Sequence, residues 1–456
     1  MVKFTNGLFI FRRDLRIIDN MALHHACLEC ENVYTCFIFT PEQVGRSNPY
    51  KSDNAIQFMI ESLTELSSDI HAHGGELMVF QGKNKKVVSD TIEALKIDAV
   101  FFNKDYTPYA ILRDEEISQL CASRDVKCSM FQDYYLYEPG TVVTKTTGTI
   151  YKKFTPFYEQ VLPLHIDENV TTKTSAFKKH GSAIKNQKEL AGMKRILVTE
   201  NTNLMVNGGR INGIKQLNQS AQTQKHYPDT RNVFAVNTSQ LSAYIKFGCV
   251  SVREVYRKFV HSFGVKSEII RQLIWRDFYA HVLFGYPNHK SSLKSVRWSN
   301  NERHFDLWCK GMTGFPIVDA CMRQMNATGW MHNRGRLVVS SFLVKTLLID
   351  WKWGEQYFAN QLVDYDVASN NGNWQWISGS GVDSMPYYRV FNPWTQSEKY
   401  DPDAEFIKKW VPELKDVDPK IIHKWDVHKN TGVKIDYPNP IVDFSTQYHK
   451  MLERYS

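Results

Sequence analysis

No run of eighteen apolar residues occurs in this 456-residue chain, so no segment reads as a membrane-spanning helix. No disulfide framework is apparent either: eight cysteines are scattered along the chain, the pattern of a reducing compartment. The N-terminal MVKFTNGLFIFRR has one short apolar segment closed by two arginines and reads as a first strand rather than a signal peptide. Together these features predict a soluble intracellular protein. The GxGxxG and P-loop signatures of nucleotide binding are missing. Tryptophan is absent from the first 274 residues, and all eleven indoles lie between Trp275 and Trp425.

What is present is a globular composition, 43% hydrophobic and 23% charged, in a chain too long for one core. The net charge of +8 permits a polyanionic partner, although so modest an excess also suits a solvated surface. Over residues 1–132 the strand-like runs GLFIFRR, VYTCFIFT, ELMVFQG, DAVFFNK and KCSMFQDYYL alternate with helical stretches such as NAIQFMIESLTELSSDIHAHG. That alternation predicts a doubly wound parallel α/β sheet. Residues 133–205 are polar and irregular. Within them TKTSAFKKHGSAIKNQKELAGMKR sets seven basic residues against Glu189 alone, which reads as a solvated interdomain connection. Over residues 206–456 helical patterns dominate, among them VREVYRKFVHSF, IIRQLIWRDFYAHVL, GFPIVDACMRQMNATG and RGRLVVSSFLVKTLLIDW. The second domain is therefore expected to be all-α and large enough to enclose a ligand.

The stretch NNGNWQWISGSG, residues 370–381, places Trp374 and Trp376 among amides and small residues. Such flanks suit a pocket wall better than a core. An indole face stacks on a nucleobase, and its π system can lose and regain an electron. Upstream, Asp364 and Asp366 precede Asn370, and HNRGR supplies Asn333, Arg334 and Arg336. A guanidinium paired with one carboxylate would be rigid and satisfied, leaving the other to accept from a ligand N–H. TSQLS, residues 238–242, offers hydroxyls and amides ahead of a helical run, a weak phosphate-cradle pattern. Cys27 and Cys30 have CxxC spacing, but no second ligand pair follows, and their helical register assigns them to a core.

These residues sit in segments that resemble the photolyase/cryptochrome family, and within it the class I cyclobutane pyrimidine dimer photolyases. The resemblance runs through FRRDLRIIDN, KKFTPFY, TSQLSAYIKFG and LIWRDFYAHVL, then KGMTGFPIVDACMRQMNATGWMHNRGR, SFLVKTLLIDW, NNGNWQW and RVFNPWTQSEKYDPDAEFIKKW. It covers most of the chain apart from the basic connection. It implies an N-terminal antenna-type α/β domain and a helical domain that holds FAD and binds UV-damaged DNA, working as a monomer. By similarity, Tyr227, Thr238, Ser239, Gln240, Leu241 and Ser242 surround the FAD phosphates and ribityl chain. Arg276, Asn333, Arg336, Asp364 and Asp366 match positions around the cofactor, with Arg336 paired to Asp364, and Asn370 faces flavin N5. Trp374, Trp351 and Trp298 match an electron-transfer series from cofactor to surface. Trp275 and Trp376 match the walls of the lesion cavity, with Gln272, Asn333, Arg334, Leu337, Gln396 and Lys399 as further DNA or lesion contacts.

The implied activity is blue-light-driven splitting of cyclobutane pyrimidine dimers, a carbon–carbon lyase reaction. Three departures from the pattern stand out. Gln272 occupies the place of a glutamate, and Leu337 that of a methionine. Tyr109 and Ala110 replace the Asn-Glu pair of folate-using relatives, so a second antenna chromophore is left open. Within the family, the alternatives are a cryptochrome-type blue-light receptor signalling through a protein partner and a (6-4) photolyase. Asn370, Asn333 and the full tryptophan set favour dimer repair over both, and Gln272 weighs the other way.

Overall fold

The computed structural model describes residues 2–181, 184–287, 296–384, 386, 388–428 and 435–455. All five expected strands form: β1 (Phe4–Phe11), β2 (Cys30–Phe39), β3 (Leu77–Gln81), β4 (Ala99–Asn103) and β5 (Lys127–Phe131). They make one parallel sheet in the order β3-β2-β1-β4-β5. The helices between them are α1 (Met21–Glu29), α2 (Asp53–Ala72), α3 (Asn84–Leu95) and α4 (Pro108–Ala122). Alternate residues of each strand face opposite ways. Leu8 and Ile10 of β1 pack with Val88, Ile92 and Ile117 beneath α3 and α4. Phe9 and Phe11 turn to the other side, into a core that continues through Tyr244, Phe247, Phe259 and Phe278 of the helical half. Burial on both faces explains why the strands read as nearly unbroken apolar runs. Cys27 and Cys30 lie in that same core.

Beyond the sheet come α5 (Phe154–Val161), α6 (Leu190–Leu197), α7 (Arg210–Thr223), α8 (Val252–Phe263), α9 (Glu268–Gly285), α10 (Glu302–Lys310), α11 (Pro316–Thr328) and α12 (Asn333–Ser341). They are followed by α13 (Trp351–Gln361), α14 (Val367–Ser378), α15 (Pro393–Tyr400), α16 (Glu405–Trp410) and α17 (Phe444–Tyr455). A second helical core is built around Trp308, Phe315, Phe342 and Phe358. Within 133–205 the basic run is largely exposed, but Tyr134, Tyr135, Tyr137, Phe154 and Phe157 are buried in the shared core. The run RGRLVVSSFLVKTLLIDW does not form one helix as its periodicity suggests. It loosens into a π-helical turn over Phe342–Thr346, and Leu348 takes a left-handed φ of 55° before Asp350 caps α13. The apolar stripe persists across that break because both halves face the same core, so the pattern alone hides the turn.

The sheet order reverses between β1 and β4, the switch point where open α/β sheets expose a crevice at their carboxyl ends. Here the helical half fills it. Gly248 adopts φ 64°, and an added Cβ would lie 2.2 Å from the Arg13 carbonyl, so only glycine lets the chain approach this closely. The contact is secured by Leu15 N donating to the Phe247 carbonyl at 3.0 Å and Arg16 Nη1 donating to the Gly248 carbonyl at 3.1 Å. Beneath it Asp133 accepts from Arg16 at 2.6 Å and from Arg253 at 2.8 Å, while Arg253 also meets Asp19 at 3.1 Å. Burial opposes ionisation of Asp133, but the two guanidiniums outweigh it and hold the carboxyl below its ordinary range. Replacing Asp133→Asn leaves two buried cations short of a partner. A loss of about 3–5 kcal/mol is expected, read as a lower urea midpoint; an unchanged midpoint would show that this knot does not hold the halves together.

Candidate functional site

Three helices carry mainly polar and aromatic residues, with Leu337 and Ile377 among them, at positions where a helix normally shows its apolar stripe. On α9 these are Gln272, Trp275, Arg276 and Tyr279; on α12, Asn333, Arg336, Leu337 and Ser340; on α14, Asn370, Asn373, Trp374 and Ile377. Each set follows i, i+3, i+4, i+7 spacing, so each occupies one face. The three faces converge on a cavity of about 530 Å³, a size that suits a cofactor or similar small ligand. Tyr227, Arg334, Asp364, Asp366 and Trp376 complete the part of the lining expected from sequence.

The charged residues are arranged in pairs. Arg336 Nη2 donates to Asp364 at 2.9 Å, as expected, and the same carboxylate accepts from Ser242 Oγ at 2.6 Å. Asp366 is not left free. Its Oδ1 caps α14 by accepting from Ser369 N at 3.0 Å, and its Oδ2 accepts from Arg13 at 2.6 Å. Burial disfavours its charge, but Arg13 and then Arg276 prevail and hold the Asp366 pKa at about 2. Arg13 also pairs with Asp105 at 3.3 Å and donates through Nε to the Lys246 carbonyl. The α/β domain therefore supplies a counter-ion to the helical cavity. Sequence reasoning missed this, because FRRDLR lies more than 300 residues from Asp366 and no local pattern links them.

Of the TSQLS run, Ser242 hydrogen-bonds a lining residue, Asp364. Thr238, Ser239, Gln240 and Leu241 lie outside the lining; the Ser239 carbonyl accepts from Gln216 and Ser220, and Gln240 takes φ 51°. Gln396 and Lys399 on α15 also stand off the cavity. That helix reaches its edge through Tyr400, whose ring lies 4.6 Å from the Arg334 guanidinium and 5.3 Å from Lys399 Nζ. His332 caps α12 by accepting from Arg334 N, and burial lowers its pKa to about 4, a structural role.

Trp374 and Trp376 divide as two residues of a helix must, at about 200° from each other. Both line the cavity, yet Trp374 is only 2% exposed and belongs to the second core, with Phe358 at 5.0 Å and Trp308 at 6.4 Å. Asn370 and Asn373 share its face, but the indole packs across onto Phe358 and Trp308, so the expectation that both indoles avoid the core holds for Trp376 alone. Trp351 starts α13 and Trp298 lies 6.0 Å from Tyr455; both are half-buried and outside the lining. Trp275 is stacked on Phe154 at 3.6 Å and 5°, which leaves it one open face.

Three buried guanidinium atoms at this cavity have no hydrogen-bond partner: Arg276 Nη2, Arg231 Nε and Arg334 Nε. Unmet donors of this kind are costly unless a ligand accepts from them. The cavity thus suits a ligand with anionic or carbonyl oxygens and a planar portion. Arg231, paired with Glu268 at 3.1 Å, is a further lining residue that the sequence did not single out.

The sequence model "DNA photolyase" matches residues 8–175, and the model "FAD binding domain of DNA photolyase" matches residues 269–456. A deoxyribodipyrimidine photo-lyase of Escherichia coli strain K12 is 36% identical over 471 aligned positions, covering 96% of each chain. The chain belongs to the DNA photolyase family. Among solved structures, an archaeal photolyase from Sulfolobus tokodaii, described with two FAD molecules, shares 39% identity with a TM-score of 0.88 over 99% of both chains. A class III photolyase from Agrobacterium tumefaciens gives a TM-score of 0.90 at 31% identity, over 100% of this chain and 98% of that one. The second of the two sequence models contains all three lining helices.

Trp374 is seated on Gly354 of α13, where an added Cβ would meet the indole at 2.2 Å. Gly354→Ala should therefore displace the ring, costing about 1–3 kcal/mol by overpacking and altering near-ultraviolet circular dichroism and tryptophan emission. Unchanged spectra and melting would contradict this account of how Trp374 is placed.

Proposed function

We propose that this protein is a light-driven DNA repair enzyme that splits cyclobutane pyrimidine dimers, with FAD in the cavity formed by α9, α12 and α14. The observation that carries the reading is one cavity whose lining joins a paired-charge and amide set to two tryptophans, Trp275 and Trp376. When bound, reduced FAD supplies the blue-light-driven electron that opens the cyclobutane ring and takes it back afterwards.

The chain's own residues do the holding and aiming. Arg276, Arg336, Asn333, Asp364, Asp366 and Asn370 are assigned to the flavin side; the Arg336–Asp364 pair, the Arg13–Asp366 pair and the bonds from Asn370 to Glu355 hold Arg336, Asp364, Asp366 and Asn370 before the ligand arrives. Tyr227 and the Thr238–Ser242 run are assigned to the phosphates and ribityl chain, with Ser242 tied in through Asp364. Trp298, Trp351 and Trp374 are assigned to electron transfer between surface and cavity. Trp275, backed by Phe154, and Trp376 present indole surface to a pyrimidine pair taken out of the duplex. Photolyases as a class are base-flipping enzymes, and extrusion is least costly for a damaged pair. Gln272 lines the same space and, as an amide, both donates and accepts, though it cannot share a proton as an acid can. Arg334, with Gln396 and Lys399 beyond it, faces the phosphates and makes affinity fall with salt. The protein is assigned a monomeric state and an intracellular location with its DNA.

Blue-light assays of oligonucleotides carrying one cis-syn thymine dimer or one (6-4) lesion test this reading. Repair of the dimer alone is expected. Repair of the (6-4) lesion alone would reassign the substrate, and repair of neither by FAD-loaded protein would favour a receptor. Loss of one stacked base costs about 1–3 kcal/mol, so Trp275→Ala should weaken binding of dimer DNA by roughly ten- to a hundredfold. Undamaged DNA should bind as before; equal weakening on both would remove Trp275 from lesion recognition.

A further inference from the structure

Phe154 opens α5, in the stretch between the sheet and the helical half, and is 1% exposed. Its ring lies nearly parallel to the Trp275 indole, with 3.6 Å between centroids and 5° between planes. The Arg271 guanidinium stands over the same ring, with Cζ 5.0 Å from the centroid. The indole fills one face at contact distance, so the guanidinium takes the other. Arg271 and Trp275 are four residues apart on α9 and share one side of it. Phe154 is therefore inserted between them, and the order guanidinium, phenyl, indole leaves the far face of Trp275 for the cavity it lines.

Arg271 is itself held by α5. Tyr158, one turn after Phe154, has its ring 4.8 Å from the guanidinium and 5.7 Å from the Phe154 ring. Two aromatic rings thus contact Arg271, and no carboxylate is paired with it among the described residues. A planar, weakly hydrated guanidinium covers an aromatic face better than an ammonium does.

The start of α5 takes its cap from a distant segment. Lys153, at the N-cap position, makes no side-chain cap bond. Instead Asp383 Oδ2 accepts from Phe154 N at 3.3 Å, and Asp383 Oδ1 lies 3.4 Å from Lys153 Nζ. Asp383 has φ 51° and lies in the turn that follows α14. That turn is folded back on its helix. Ser380 N and Gly381 N donate to the Gln375 carbonyl at 2.9 and 3.1 Å, and Ser384 Oγ donates to the Gly381 carbonyl at 2.6 Å. Gln375 immediately precedes Trp376. The backbone that carries one indole therefore fixes the ring that backs the other. The link runs through a segment whose composition reads as a solvated connection.

We infer that Arg271 and Asp383 are positioning residues for Trp275: Arg271 covers the far face of Phe154, Asp383 anchors the start of α5, and together they hold the indole flat toward the cavity. The inference rests on the reading of Trp275 and Trp376 as walls for an extruded pyrimidine pair. An indole already fixed stacks on a base with little ordering left to do. With either support removed, Phe154 and Trp275 are ordered only as the lesion binds, and dimer affinity falls. Duplex without a lesion puts no base against Trp275, so its binding is unaffected.

The test is binding in the dark of duplexes with and without one cis-syn thymine dimer, over a range of salt, with thermal melting to verify folding. Arg271→Ala and Asp383→Gly should each weaken dimer binding by roughly two- to fivefold, leaving undamaged DNA and the salt dependence as before. Asp383→Asn keeps an oxygen for Phe154 N and accepts a positive φ, and should bind as the unsubstituted protein does. In Phe154→Leu, which fills the core without a flat face, adding Arg271→Ala should weaken dimer binding no further. Equal weakening on both duplexes with a shallower salt dependence would make Arg271 a phosphate contact and overturn the inference. Unchanged dimer binding in Arg271→Ala or Asp383→Gly overturns it as well. Equal affinity of the unsubstituted protein for both duplexes overturns the lesion reading and the inference with it.

Discussion

The buried charge pairs at the carboxyl end of β1 are the constraint on which the rest of this structure depends. Arg13, Arg16 and Arg253 meet Asp19, Asp105, Asp133 and Asp366 at the seam between sheet and helices. Each such ion costs several kcal/mol to remove from water, which only a full set of partners offsets. The partners come from the first strand's end, the segments after β4 and β5 and two helical regions far along the chain. No one of these segments can bury its charge alone. The pairs therefore demand that sheet and helices meet in this one arrangement, and the shared apolar core then fills in behind them.

That arrangement makes the cavity composite. Its walls belong to three helices, but Asp366 is held ionised by an arginine from the sheet domain, and Asn370 donates to Glu355 of α13. Charge pairing before ligand arrives is what preorganisation means here: the polar atoms are aimed, and little reorganisation is left for binding. The unmet guanidinium donors are the complement of this order, since they await acceptors that the protein itself does not provide.

Much of the fold could be read from local pattern. The five strands, α2, α8, α9 and α11 fall where period-2 runs and period-3.6 stripes place them, because side-chain direction repeats with backbone geometry. A guanidinium–carboxylate pair was anticipated from charge logic; that it is Arg336–Asp364, and that Gln272, Trp275, Asn333, Asn370 and Trp376 converge, came from resemblance. The break at Leu348 was hidden by an apolar stripe that continues across it. The core burial of Trp374 was obscured by its polar sequence neighbours, because the rings that bury it, Trp308 and Phe358, come from α10 and α13.

The sequence by itself determined which segments become strand and most of those that become helix, which part of the chain carries the cavity-lining residues, and which residue types stand there. Those properties depend on spacing over a few residues. Only the tertiary structure decided that Arg13 is the partner of Asp366, that Phe154 closes one face of Trp275, and that the Pro49 and Lys51 carbonyls dock on Gln356 and Asn360 of α13. Each of these joins residues separated by more than a hundred positions. Such contacts carry no local periodicity, and they are selected by packing and by the need to pair buried charge rather than by any pattern along the chain.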